Sequence, residues 1–597
     1  MQELYTYSRE SRLLTPGYHL DYIPDLMLEA ATSVTALSLD ENNISSLPEE
    51  IGNFTLLTEL FSVCDNALTA IPPCVGNMTK LTCLRLSGNS LLDLPNELSS
   101  MVLLRTLLVD HNSLSEMNRC FSTMTCLEVL SFVDNKIREV HPEFGLISSI
   151  TSLRMHENPI VLPGPEIIDR PTAQVIDYLG RIKVSQFTGY LDLADLELQS
   201  LIHQLHDAHE AKGINLARNH LTSLPQDFGK FQRCQELILD GNPMPYLEDV
   251  VGKIKTLQLL SVERMKEPLR ALPENTFGGL RALVVLRAAH NTIAVLPDVF
   301  KYLVHMEFLD LTSNVLSWLP PSLMHCKKLR VLLVSRNKLT ELVKGFSNFH
   351  DLHTLDVSHN KLERLSRGMG RLVTFYKLKN HDLSNNPWVM PPPEIQEQGE
   401  RKMLEYVGNL WRAKLDHSTK MMHYKLTEIH SEILQDNLVE LNLDFNLISV
   451  IPLEIGRLKK LEDFSIIKNR LTELPDALFD LKQLRSLKVD DNKIAEIPRA
   501  IIRLSRSLET LSIYRNPIRF FPGELANLEM LTIINATPLG LDADLKQMFN
   551  AGFDTFIAYM KAWSMVQSTR KLQLNWNANA AWDPAHIFKS TLYLTFI

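Results

Sequence analysis

The chain has 597 residues, of which 45% are hydrophobic, 22% charged and 7% aromatic, a composition inside the globular range. Its 61 basic and 70 acidic residues leave a net charge of -9, which argues against a general nucleic-acid or acidic-membrane binder and allows only a local basic patch. Seven cysteines, an odd number with no C-x-x-C pair, form neither a disulfide framework nor a zinc site and fit a reducing compartment.

The start, Met1-Gln2-Glu3-Leu4-Tyr5, lacks the basic and apolar regions of a signal peptide, and no stretch approaches the roughly 20 apolar residues of a membrane span. The expectation is a cytoplasmic chain without a transmembrane segment. Residues 1–30 read as an N-terminal cap. A period then sets in: Leu81-x-x-Leu84-x-Leu86-x-x-Asn89-x-Leu91 is followed by the same template ending at Asn112-x-Leu114 and at Asn135-x-Ile137, the asparagines standing 23 apart. With Asn42, Asn66 and Asn158 these form a first arc, 31–162. A helical linker is expected over 163–190. The second arc, 191–390, carries Asn219, Asn242, Asn291, Asn314, Asn337, Asn360 and Asn386, with Leu196 and Met265 filling two slots. A second helical linker, 391–437, leads to a third arc, 438–537, with Asn446, Asn469, Asn492 and Asn516 and a last slot at Ala536. Residues 538–566 read as a helical C-terminal cap and 567–597 as an irregular tail, where Leu572-x-Leu574-x-x-Asn577 looks like the truncated opening of a further repeat.

The template has a physical logic. Its apolar positions turn inward, where neighbouring coils complete a core that no single coil can bury. The alternation around them sets polar residues on the open face of a parallel sheet. Each asparagine amide can bond unpaired backbone groups of adjacent coils, so Asn42, Asn89, Asn112, Asn135, Asn158, Asn219, Asn242, Asn291, Asn314, Asn337, Asn360, Asn386, Asn446, Asn469, Asn492 and Asn516 form a structural ladder. Coils at Met265, Leu196 and Ala536 lack that rung and are expected to be looser or terminal.

The two breaks in the series start alike, at Asn158-Pro159 and Asn386-Pro387, each with a glutamate 8 residues after the asparagine and a tyrosine, Tyr178 or Tyr406, 20 residues after it. The helical stripe Leu404, Val407, Leu410, Trp411 and Leu415, and the aromatic stripe Phe549, Phe553, Phe556, Tyr559, Met560 and Trp563, are read as covers for open solenoid ends rather than docks for a partner helix.

This template, with second halves such as Leu94-Pro95-Asn96-Glu97-Leu98 and Ile451-Pro452-Leu453-Glu454-Ile455, resembles the leucine-rich repeat, and within it the intracellular Ras-group and LAP scaffolds such as Scribble and Erbin. The resemblance implies an α/β solenoid with a curved parallel sheet on its concave face, in three tandem arcs. It also implies a non-enzymatic scaffold that binds proteins, with small GTPases and phosphatase subunits among the partners, and needs no cofactor. Two rivals stand: the sensing portion of a signalling enzyme (a Roco GTPase, kinase or cyclase) whose catalytic module lies elsewhere, and a structural subunit of a large assembly.

No phosphate loop, H-E-x-x-H helix or G-x-S-x-G elbow occurs. His381-Asp382-Leu383-Ser384-Asn385-Asn386 faintly resembles a kinase catalytic loop at the wrong spacing. His203, His206 and His209 make a helical row without a carboxylate or cysteine partner, and so read as a solvated face rather than a metal site. Partner contacts are therefore expected from the concave face: Arg85, Leu108, His111 and Arg154; Arg287, His290, Asp310, Leu333, Arg336, Asp356 and His359; Lys468, Lys488, Asp490, Tyr514 and Arg515. Their mixed signs suit a protein surface rather than a polyanion.

Overall fold

A computed structural model describes residues 11–201, 210–343, 345–366, 368–374, 378–536 and 543–574. The chain divides into two compact units, Met1–Leu339 and Thr340–Ile597. That boundary falls inside the expected second arc.

In the first unit each template contributes a strand of three residues. Arg12–Leu14, Ala36–Ser38, Leu60–Ser62, Cys83–Arg85, Thr106–Leu108, Val129–Ser131 and Ser152–Arg154 form a seven-stranded parallel sheet. Leu84, Leu107, Leu130 and Leu153 stand in register across it, so one template position makes one apolar line. A second parallel series runs from Tyr190–Asp192 through Gly213–Asn215, Glu236–Ile238, Leu259–Ser261, Val285–Arg287 and Phe308–Asp310 to Val331–Leu333.

The opposite side of each coil starts at its proline. Proline fixes φ and lacks an N–H, and it keeps the residue before it extended. A five-residue 3-10 turn begins directly after it, at Glu49–Asn53 behind Pro48, Asn96–Ser100 behind Pro95 and Gln226–Lys230 behind Pro225. The apolar residue of each turn, Ile51, Leu98 or Phe228, is buried in the core.

The first linker is a helix, Thr172–Thr188, that buries Val175, Ile176, Tyr178, Leu179 and Ile182. It lies on the 3-10 turn Pro142–Leu146 of the coil before it, where Gly145 meets Gly180. Thr172 Oγ1 accepts the N–H of Leu153 at 3.1 Å, and Lys183 Nζ donates to Glu143 at 2.9 Å. The helix thereby covers the last coil and occupies a backbone donor of the sheet's edge strand, a position that exposed edges leave open to foreign strands.

The second unit repeats the device. Strands Thr354–Asp356 and Asn380–Asp382 pair in parallel. The helix Glu400–Asp416 then crosses Gly370 of the helix Met369–Thr374, where a Cβ would stand 2.6 Å from the Val407 carbonyl oxygen. Glu400 Oε1 accepts the N–H of Leu383 at 2.9 Å. Ser418–Lys420, Glu440–Asn442, Asp463–Ser465, Ser486–Lys488, Thr510–Ser512 and Ile533–Asn535 follow as a six-stranded parallel sheet. A C-terminal helix, Phe553–Leu574, packs on the 3-10 turn Gly523–Asn527, with Phe556 edge-on to Phe521 at 5.4 Å. Leu572 and Leu574 are helical, where the sequence pattern reads a strand opening; Asn577 lies outside the described residues.

Two further details differ from the sequence reading. Leu415 is 57% exposed, because the covered face of its helix is Met403, Leu404, Tyr406, Val407, Leu410 and Ala413. The coil at Met265 is not open either. Asn291 reaches across the missing rung to the Val262 carbonyl at 2.8 Å, and Lys266 donates to the Asn242 and Asn219 carbonyls at 3.0 and 3.1 Å.

Candidate protein-interaction face

The asparagines point into the coils. Asn112 donates through Nδ2 to the carbonyls of Leu86, Val109 and Asp110 at 3.0, 3.1 and 3.0 Å and accepts the N–H of Leu91 at 3.0 Å. The same pattern of donation to the preceding coil and to its own turn recurs at Asn42, Asn89, Asn135, Asn158, Asn219, Asn242, Asn314, Asn337, Asn446, Asn469, Asn492 and Asn516. Asn291 and Asn386 do so over a longer coil, and Asn360 donates to the Val357 and Ser358 carbonyls. Each amide satisfies buried backbone groups that would otherwise cost about 1–3 kcal/mol apiece.

The slot just before each asparagine has a backbone conformation that the repeat template does not announce. It lies in the left-handed region: His111 at φ 53°, His290 at 56°, Arg336 at 54°, His359 at 53°, Lys468 at 52° and Arg515 at 55°. The clue in the sequence is glycine at the same slot, Gly88 and Gly241, which takes that conformation without a Cβ penalty. This turn carries its side chains off the sheet rim.

Of the expected partner residues, Arg85, His111, Arg154, Arg287, His290, Arg336, His359, Lys468, Lys488, Tyr514 and Arg515 are exposed, while Leu108, Asp310, Leu333, Asp356 and Asp490 are half-buried. The strand register sets Arg287, Asp310 and Leu333 side by side, and likewise Arg85 and Leu108. Several carboxylates already have work inside the fold. Asp490 accepts Ser512 Oγ at 2.7 Å and the Tyr514 N–H at 2.6 Å, and the same rung joins Asp40 to Ser62, Asp240 to Ser261 and Asp444 to Ser465 at 2.7 Å. Burial, followed by the neighbouring charges of Asp491 and Asp444, holds the Asp490 carboxyl above its ordinary value. Asp310 and Asp356 fold back on the N–H groups of Thr312 and Ser358 at 2.9 and 3.0 Å.

Cross-strand ion pairs temper the charge: Arg105 with Glu128 at 2.6 Å, Arg330 with Glu307 at 3.4 Å, Arg485 with Glu462 at 3.5 Å and Arg515 with Asp491 at 3.5 Å. Exposed pairs like these contribute about 0–1 kcal/mol each. His111 bonds Asp134 at 3.0 Å, a contact that raises the imidazole pKa. His203, His206 and His209 lie outside the described residues. No helix of the described residues is long and apolar enough to cross a membrane.

The fold is an α/β leucine-rich-repeat solenoid. A family model described as leucine rich repeat matches residues 436–494. No curated relative matches it. Among solved structures it is similar to a leucine-rich-repeat protein of Leptospira interrogans at 20% identity, covering 86% of this chain and 98% of that one, with a TM-score of 0.29. It is also similar to the ectodomain of the Arabidopsis thaliana receptor kinase GASSHO1/SCHENGEN3, at 20% identity over 88% and 70% with a TM-score of 0.30. An internalin of Listeria monocytogenes follows at 17% over 60% and 89%, with a TM-score of 0.28. At these values the likeness says nothing of partners.

Proposed function

We propose that the protein is a cytoplasmic, non-enzymatic scaffold that captures protein partners on its strand faces, in the manner of the Ras-group and LAP repeat proteins it resembles, with small GTPases or phosphatase subunits as the partner class. The observation that carries this reading is the row Arg287, Asp310 and Leu333: a cation, an anion and an aliphatic side chain side by side in strand register. A rigid array of mixed character suits recognition of one protein surface by shape and charge. The asparagine ladder beneath it fixes the spacing of that array, which lowers the ordering cost of binding.

Affinity purification from native lysate with partner identification, using the wild type and an Arg287→Glu, Arg336→Glu double variant, tests the proposal. Loss of about 1–3 kcal/mol of partner affinity in the variant is expected. An unchanged partner set at unchanged affinity sinks this face as the interface.

A further inference from the structure

Phe445 stands in the left-handed slot before Asn446, at φ 59°. Every other non-glycine residue of positive φ among the described residues is polar or charged. A bulky apolar side chain is a costly choice for that conformation. Core packing does not offset the cost, because the side chain lies at the rim and Phe445 is 37% exposed.

Its surroundings make a built surface. The imidazole of His423 stacks on the ring, with centroids 4.4 Å apart and planes 24° from parallel, and the Lys468 ammonium stands 4.8 Å from the ring centroid. Met422 and Ile467, one residue before His423 and Lys468, are half-buried. The carboxylates of the same turns are spoken for: Asp444 accepts Ser465 Oγ and the Ile467 N–H at 2.7 Å, Asp490 is held by Ser512 and Tyr514, and Asp491 pairs with Arg515. Lys468 and Lys488 are exposed and have no carboxylate partner among the described residues. The ridge therefore offers an apolar shelf next to two exposed cations that form no ion pair among the described residues.

We propose that this ridge anchors a partner polypeptide segment in which a carboxylate side chain stands next to an apolar one. The carboxylate meets Lys468 and Lys488, and the apolar side chain packs against Phe445, Met422 and Ile467. The proposal rests on the reading of the strand faces as protein-binding and names the chemistry of one partner. Nucleic acid fits less well, since the Phe445 ring is already stacked by His423 and approached by Lys468 and is not a free base-stacking platform.

The test pans a random-peptide display library against the full chain and measures the enriched peptide, synthesised, against variants. Enrichment of Asp or Glu beside an aliphatic or aromatic residue is expected. So is binding weakened at least about 30-fold by Phe445→Asn and about 10-fold by Lys468→Glu with Lys488→Glu. Asparagine suits the left-handed slot, so F445N is expected to melt no lower than the wild type. Enriched peptides without an acidic residue, equal binding to F445N, no enrichment, tighter capture of anionic vesicles or single-stranded RNA than of peptide, or a large drop in melting temperature for F445N would each overturn the proposal. If the enriched peptides instead lose affinity for the Arg287→Glu, Arg336→Glu variant, this ridge fails while the strand-face reading stands.

Discussion

Gly145 and Gly180 meet backbone to backbone: a Cβ on Gly145 would overlap the amide nitrogen of Gly180, and one on Gly180 would stand 2.9 Å from the Gly145 carbonyl oxygen. The helix that covers the first sheet can lie on the last coil only because neither residue has a side chain. Gly145→Ala is therefore expected to destabilise the first unit by about 1–3 kcal/mol through overpacking. Gly278, with nothing within 4 Å of its Cβ position, is the control: Gly278→Ala should be neutral or stabilise by up to about 1 kcal/mol. Urea unfolding of the two variants side by side checks the pair, and equal behaviour counts against the close crossing.

Loss of an interior rung should cost more than a surface change. Asn314 donates to the Ala288 and Leu311 carbonyls at 3.0 and 2.9 Å and accepts the Ile293 N–H at 3.0 Å. Asn314→Ala strands these buried groups, and a loss of about 2–4 kcal/mol is expected. Asn314→Asp should be nearly as harmful, since a carboxylate cannot donate. Melting of both variants within a degree of the wild type contradicts the ladder.

Two carboxylates should show opposite pH dependence. Burial, the largest single influence, would push the Glu394 carboxyl up, but the hydrogen bond from His430 at 3.0 Å, the backbone N–H groups including that of Thr427, and the His430 charge together outweigh it, and the value lies below the usual one. Its contribution to stability is present above the ordinary glutamate value of about 4.3 and is lost as pH falls through the lowered value. Asp490 is raised, so its ionisation opposes folding, and that cost appears as pH rises from the ordinary aspartate value of about 3.9 through the raised one. Glu394→Gln should lose stability relative to the wild type at neutral pH and match it in acid. Asp490→Asn, which still accepts from Ser512 and Tyr514, should gain at neutral pH and match it in acid. Urea midpoints from pH 3 to 7 follow both, and differences that do not change with pH refute the assignments.

The turn before each asparagine predicts a gain. Arg336 is exposed at φ 54°. Arg336→Gly should stabilise the first unit by about 0.5–1 kcal/mol by relieving the left-handed penalty. If R336G is less stable than the wild type, the side chain contributes more to the fold than its exposure implies.

The repeat was legible because burial and hydrogen bonding repeat with it: Leu84, Leu107 and Leu130 are fully buried for the reason Asn89, Asn112 and Asn135 are bonded. The Asp–Ser rungs leave no mark in the repeat template, and Asp490 reads there as a partner contact, because a strand position that faces solvent in one coil faces a hydroxyl of the next only when serine stands there. The left-handed turn was hidden by its polar residues, which read as ordinary surface. The close glycine crossings pair Gly145 with Gly180, 35 residues apart, and Gly370 with Gly408, 38 apart, beyond any local pattern.

Partner binding on the strand face should be visible in the backbone amides. Hydrogen exchange of the full chain, free and with a partner recovered from native lysate, checks this. Protection is predicted at the strands and rim turns, above all 285–290 and 331–336. Protection confined to the proline-led 3-10 turns, such as 226–230 and 321–325, with the strands unchanged, would contradict it.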